Sequence, residues 1–258
     1  MGTKHDILTE QELSSYSINP IVKHELTLYY ESQSLIKNKV RILDWGCGRG
    51  RSVYKLKEEG YDAIGYDIDP MVIKNGQPLA ESRGYNVDII QTIDHLTELE
   101  SDSIDFIFSE QVFEDVADLG AVAEERYRVM RKGGLSVNCY PGTLTILEEH
   151  LLMPFIHWLP KNMIRIPYMY FLVILGKEPK KRWPELTKTS AWQRTLHFYQ
   201  YLEKHTFYRR IDEVYKVFTN TGFKVSHAVK STQRRWIPKL WRKNGFPQAS
   251  FTLRLEKV

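Results

Sequence analysis

Apolar positions arrive in short runs closed by acids and glycines, and the runs alternate with amphipathic stretches. Val40 to Asp44 is a five-residue run ended by an acid and a glycine cluster, which predicts a buried strand. Arg51 to Glu59, stopped by Gly60, predicts a helix. Asp62 to Asp67 predicts a second strand, and Asp69-Pro70 starts the next helix with proline in its first turn. Val87 to Ile90 and Ile104 to Ser109 predict strands three and four. Ala121 to Arg131 predicts a helix ended by Gly133-Gly134, and Leu135 to Tyr140 a fifth strand. Strands separated by helices imply a parallel, doubly wound α/β sheet.

The alternation stops at Pro141-Gly142. It resumes with a helix from Ile211 to Thr221 and strands at Phe223 to Val229 and Ser250 to Leu255. The expectation is one domain with four parts: a helical entry over 1–37, with Asn19-Pro20 as a helix start, a ligand-binding half over 38–142, a cap over 143–207, and a closing helix and strands over 208–258. A chain of 258 residues can bury a large core without covalent staples.

The strongest local signal is Asp44-Trp45-Gly46-Cys47-Gly48-Arg49-Gly50, between a strand and a helix. Glycines there let backbone approach a ligand, and the helix start offers free N–H groups. The spacing is G-x-G-x-G; a dinucleotide fingerprint needs glycine at Arg51. Cys47 reads as a small packing residue inside this loop, not as a nucleophile.

These residues resemble the first motif of class I S-adenosylmethionine-dependent methyltransferases. Asp67 matches the acid that holds the ribose hydroxyls in that family. Ser109 to Val116 resembles the segment after strand four that commonly ends in Glu-His-Val, with Asp115 here in the histidine's place. Arg128 to Gly134 resembles the turn into strand five, with Lys132 where proline is common. The resemblance covers roughly 38–140, and 208–258 more weakly. It implies a seven-stranded Rossmann-like sheet with the last strand inserted antiparallel. The implied cofactor is S-adenosylmethionine, held by Asp44, Gly46, Cys47, Gly48, Gly50, Asp67, Ile68, Thr92, Ile93, Ser109 and Gln111. The acid common after strand three has no clear counterpart. Thr92, Asp94 or the backbone of Ile93 would serve the adenine instead.

Methyl transfer to a hydroxyl benefits from a general base near neutral pKa. His150 and His157 follow strand five in the expected cap and are the candidate bases, although His157, within Phe155-Ile156-His157-Trp158, also reads as a packed core histidine.

Composition narrows the partners. Two cysteines offer no disulfide framework and no four-cysteine zinc site, and the eight histidines lack metal-ligand spacing. Met1 to Glu10 lacks the apolar core of a secretion signal, so a cytoplasmic protein is expected. The net charge of +4 hides an asymmetry: residues 1–140 carry 15 Lys and Arg against 24 Asp and Glu, and residues 141–258 carry 21 against 8. A basic half suits phosphate groups, nucleic acid or an anionic membrane surface, or is simply a solvated face.

Leu151 to Leu175 is apolar and aromatic, with only Lys161 and Arg165 charged, and cations follow at Lys177, Lys180, Lys181 and Arg182. Three prolines and two charges argue against a membrane span. A lid, an interfacial membrane segment that makes the protein membrane-peripheral, a dimer contact and a buried helix pair all fit. The cap is also similar, more loosely, to that of bacterial methyltransferases associated with surface-glycan synthesis. That resemblance implies a small-molecule, sugar or lipid-linked acceptor. An RNA acceptor is less favoured. Arg234-Arg235-Trp236 and Trp241-Arg242-Lys243 mix cations and aromatics, but the turn after strand four lacks the Asn/Asp-Pro-Pro-Tyr motif common in amino-group base methylases. A non-catalytic binding protein of the same fold is the reading from another class.

Overall fold

The computed structural model describes residues 6–93, 98–143, 145–161, 164–180, 182–227 and 250–258. Asp94, the Arg234 and Trp241 clusters, Lys181 and the last two residues of the expected strand at 223–229 lie outside them.

Seven strands form one sheet: β1 (Arg41–Trp45), β2 (Asp62–Asp67), β3 (Ile90–Thr92), β4 (Ile104–Glu110), β5 (Met130–Pro141), β6 (Phe223–His227) and β7 (Ser250–Lys257). Their order is β3-β2-β1-β4-β5-β7-β6. β1 to β5 run parallel, and β7 lies antiparallel between β5 and β6. The order of strands therefore proceeds outward in opposite senses on either side of β1, and the crevice at the C-terminal ends of β1, β2 and β4 is the ligand position for such a sheet.

Helices cover both faces. The strands alternate, so Ile42 and Phe106 point one way while Leu43 and Ile107 point the other. The first set packs on α1 (Glu10–Ser15), α2 (Pro20–Ser32), α3 (Arg51–Glu58) and α4 (Pro70–Ser82) through Leu13, Val22, Leu26, Val53 and Leu79. The second packs on α5 (Leu119–Val129) and α8 (Ile211–Thr221) through Leu119, Val129, Val214 and Phe218. The cap holds α6 (Arg165–Ile174) and α7 (Ala191–His205). It has its own apolar cluster of Leu151, Met153, Ile156, Met169, Leu172, Val173, Phe198 and Leu202.

Three elements differ from expectation. α1 was not anticipated; Thr9 and Glu12 form a reciprocal capping box that starts it. Residues 87–89 form a 3-10 turn capped by the Asn86 side chain, so β3 begins only at Ile90. Gly133-Gly134 does not end α5. The helix stops at Val129, Met130 already pairs with Ile104, and the glycines sit in a bulge before Leu135 pairs with Phe106.

Candidate active site

β1 delivers Asp44 to the crevice, and the chain then turns through Gly46, Gly48 and Gly50, all at positive φ. Gly46 and Cys47 donate their N–H groups to the Tyr66 carbonyl at 2.7 and 3.0 Å, which ties the turn to β2. A side chain at Gly46 would lie 2.4 Å from Val112 Cγ2, so only glycine fits. A side chain at Gly48 would meet nothing nearer than Val72 Cγ1 at 3.9 Å, so the loop is open on that side.

Asp67 ends β2. Its Oδ2 accepts from Gly48 N at 2.8 Å and its Oδ1 from Asp69 N at 3.0 Å. Each carboxylate oxygen keeps a second lone pair for a ligand hydroxyl. Ile68 beside it is 79% exposed and presents an apolar surface to the crevice. Thr92 and Ile93, at the end of β3, are half-buried.

Three acids meet under this crevice. Burial raises the Asp44 carboxyl well above its ordinary range, and Glu110 and Asp67 add to the effect. Burial also raises Glu110, against a hydrogen bond from Asn19 and the field of Arg51. A cation placed above Asp44 and Glu110 would favour their ionised forms. Adenosine hydroxyls at Asp67, an apolar ring on Ile68 and a cationic sulfonium or ammonium above Asp44 and Glu110 fit these residues.

The loop is braced from both sides. Arg49 is buried; it pairs with Glu12 at 3.0 Å and donates to the Asp6 carbonyl at 2.9 Å. The Tyr16 hydroxyl lies 2.7 Å from Ser52 Oγ, and Arg51 stacks over the Tyr16 ring. Cys47 is packed against Gly65, where an added Cβ would sit 2.6 Å from Cys47 Cβ, and burial pushes its thiol up, so it offers no thiolate. Ser109 is buried and its hydroxyl pairs with Asn138 Oδ1 at 2.9 Å, so that side chain serves the sheet interior and not the crevice. Gln111 is exposed at φ +56°, with its N–H on the Cys139 carbonyl at 2.8 Å.

The two histidines separate. His150 places Nδ1 2.7 Å from Glu148 Oε1 and Nε2 3.1 Å from Asp115 Oδ1. Burial alone would lower its pKa, but the two carboxylates outweigh it and raise it to about 9. A cationic ring with both nitrogens donating has no lone pair for a proton, so His150 does not suit the base role expected of it. His157 sits with Nε2 3.1 Å from Thr145 Oγ1 and its ring 4.9 Å from that of Tyr208. Burial lowers its pKa, so the ring is neutral. Beside it Phe155 and Trp158 are exposed and in edge contact at 4.9 Å. Tyr208 donates to Glu148 Oε1 at 2.9 Å, which joins the two histidine groups.

Sequence reasoning missed Glu110, Arg51, Tyr16 and Arg126. Arg126 of α5 is fully buried between the Trp45 and Phe113 rings, 4.7 and 4.9 Å away, and donates to Asn138. An arginine at an inward position of an amphipathic helix was the available signal.

A family model for a methyltransferase domain matches residues 36–189. The tRNA 5-carboxymethoxyuridine methyltransferase of Escherichia coli is 33% identical over 102 residues, 38% of each chain. The ubiquinone biosynthesis O-methyltransferase of Azorhizobium caulinodans is 30% identical over 130 residues, 47% of this chain and 51% of that one. The alignments thus span about half or less of these relatives' length. Among solved structures, an S-adenosylmethionine-dependent methyltransferase from Mesorhizobium loti aligns with 94% of this chain and 99% of its own at 15% identity and TM-score 0.53. The YcgJ protein of Bacillus subtilis aligns with 92% and 99% at 13% identity and TM-score 0.51. These two share the fold.

Proposed function

We propose, from the premise that this chain belongs to the class I S-adenosylmethionine-dependent methyltransferase family, that it methylates a hydroxyl of a small-molecule, sugar or lipid-linked acceptor held under the cap. The carrying observation is the crevice: a glycine loop open above Gly48, locked by its N–H to Asp67, over the Asp44–Glu110 acid pair. S-adenosylmethionine supplies a methyl group on a sulfonium, already activated for in-line displacement. The protein's part is to hold and orient. Asp67 accepts the ribose hydroxyls, Ile68 and Ile93 flank the adenine, and Asp44 and Glu110 present negative charge to the cationic end.

The acceptor side is read from the cap. His157 is neutral and stands beside the exposed Phe155 and Trp158. Its Nε2, which shares a hydrogen bond with Thr145 Oγ1 at 3.1 Å, takes the hydroxyl proton once that threonine turns aside, and the aromatic wall holds an apolar acceptor body and excludes water. His150, clamped by Glu148 and Asp115, fixes the cap to the loop after β4. The relative named as an O-methyltransferase supports oxygen as the methylated atom.

A second reading, an RNA acceptor, draws on the relative named as a tRNA methyltransferase and on the basic half of the chain. Transfer of labelled methyl from S-adenosylmethionine into a fractionated cell extract separates the two. Label in the lipid, glycan or small-molecule fraction, lost in Asp67→Ala and reduced at least a hundredfold in His157→Ala, is expected. Label in RNA instead would establish the second reading. Cofactor binding with no label in any fraction would favour a non-catalytic role.

A further inference from the structure

α6 is apolar on two sides, and only one of them is covered. Arg165, Met169, Leu172 and Val173 are buried in the cap cluster. Ile164, Pro167, Tyr170, Phe171, Ile174 and Leu175 are exposed. At 100° per residue these six fall within an arc of about 140°, a continuous stripe along the helix. Phe171 is 52% and Ile174 55% exposed. Trp192, at the start of α7, widens the stripe: it is exposed and meets the Tyr170 ring at 5.9 Å. An apolar patch of this kind on a protein surface marks a partner.

Charge selects that partner. The chain that leaves the stripe exposes Lys177, Lys180, Arg182 and Lys188, against Glu185 as the exposed acid among the described residues of 175–192. Glu178, the other acid there, is bound by Arg194 at 2.8 Å and lies 4.0 Å from Lys180 Nζ, while Arg182 donates to the Tyr201 hydroxyl at 2.9 Å. Among the described residues this leaves Lys177 and Lys188 outside the fold's own ion pairs, and Lys180 still largely exposed. A second copy packed antiparallel on this stripe would set the two groups of cations at opposite ends and would offer neither of them an opposite charge. Anionic lipid headgroups would meet them with opposite charge, while tyrosine and tryptophan favour the depth just below the headgroups.

We infer that the cap docks on an anionic lipid bilayer through this face of α6, which lies flat in the headgroup region with its cations on the lipid phosphates. α6 has 10 residues and spans about 15 Å, about half of a ~30 Å hydrocarbon core, so it rests on the membrane without crossing it. The inference is independent of which acceptor is methylated and stands or falls without a turnover assay.

The test is co-sedimentation of the full chain with vesicles of phosphatidylcholine alone and of phosphatidylcholine with phosphatidylglycerol, at low and high salt. Binding to the anionic vesicles, weakened by salt, is expected. Lys177→Glu with Lys180→Glu should lower the partition coefficient about thirtyfold or more. Phe171→Ser with Ile174→Ser should lower it at least tenfold. All four side chains are exposed, and the charge pair tests the idea alone if the apolar pair impairs folding. No binding to anionic vesicles, or binding unchanged in both variants, overturns it. So does a dimer in sedimentation velocity that the Phe171 and Ile174 changes dissolve while vesicle binding is absent.

Discussion

Gly48 donates its backbone N–H to Oδ2 of Asp67 at 2.8 Å, so the glycine turn after β1 and the acid ending β2 are one unit. The bond fixes the carboxylate rotamer before any ligand arrives, and the second oxygen is fixed by Asp69 N. Asp67→Ala removes the acceptor of both N–H groups along with the proposed ribose contact. Isothermal titration with S-adenosylhomocysteine should show affinity at least a hundredfold lower, and thermal unfolding a stability loss of about 1–2 kcal/mol. An unchanged affinity would place the ribose elsewhere.

Two glycines with nearly the same φ separate fit from strain. Gly46 has φ +86° and would put a Cβ 2.4 Å from Val112 Cγ2; Gly60 has φ +88° and nothing within 4 Å. Gly60→Ala meets only the left-handed backbone cost, about 1 kcal/mol. Gly46→Ala adds overpacking, for a total of about 2–4 kcal/mol, and displaces the loop. Cofactor affinity should fall at least tenfold in Gly46→Ala and stay the same in Gly60→Ala. Equal affinities in the two variants would mean that the loop does not touch the ligand.

His150 makes the fold sensitive to alkali. Its folded pKa of about 9 lies above the ordinary 6.5, so its stabilisation is complete below about pH 6.5 and is lost as pH rises through 9. The shift corresponds to at most about 3 kcal/mol. Glu114, buried and raised to about 8, acts in the same direction, losing stability as pH climbs from its ordinary value toward 8. Urea unfolding of the wild type should show stability falling from pH 6 to pH 9.5. His150→Gln should be weaker than wild type near pH 6 and converge with it near pH 10. A deficit independent of pH would show that the ring is not charged in the fold.

How far the sequence reaches follows from the range of the interactions. Asp44, Gly46, Gly48, Gly50 and Asp67 were legible because strand, turn and helix are local patterns, and the resemblance supplied their order. α1 hides in Thr9 and Glu12, a capping box too short to carry periodicity. The clamp on His150 was not legible: Asp115 lies 35 positions away on another segment, and only the folded cap brings it within 3.1 Å. Ser109 looked like a site residue because of its motif, yet strand alternation turns its hydroxyl to Asn138. The stripe on α6 reads in sequence as part of one long apolar run; which half is covered is decided by α7.

The acid pair under the glycine loop makes cofactor affinity depend on pH. In the free protein, burial and the charges of Glu110 and Asp67 raise the Asp44 carboxyl, and Arg51 and Arg126 offset this only in part. A cation placed above these groups favours their ionised forms, so binding is expected to release any protons they carry in the free protein. Affinity for S-adenosylmethionine should therefore rise with pH, most strongly where the two raised carboxyls titrate. S-adenosylhomocysteine lacks the sulfonium and should show a smaller slope. In isothermal titration the observed heat should depend on the ionisation enthalpy of the buffer, which counts the protons released. Asp44→Asn cannot release one, so its slope with pH should flatten, with the affinity loss larger at pH 8 than at pH 6. Equal slopes for both ligands and no buffer dependence would mean that the sulfonium does not lie over Asp44.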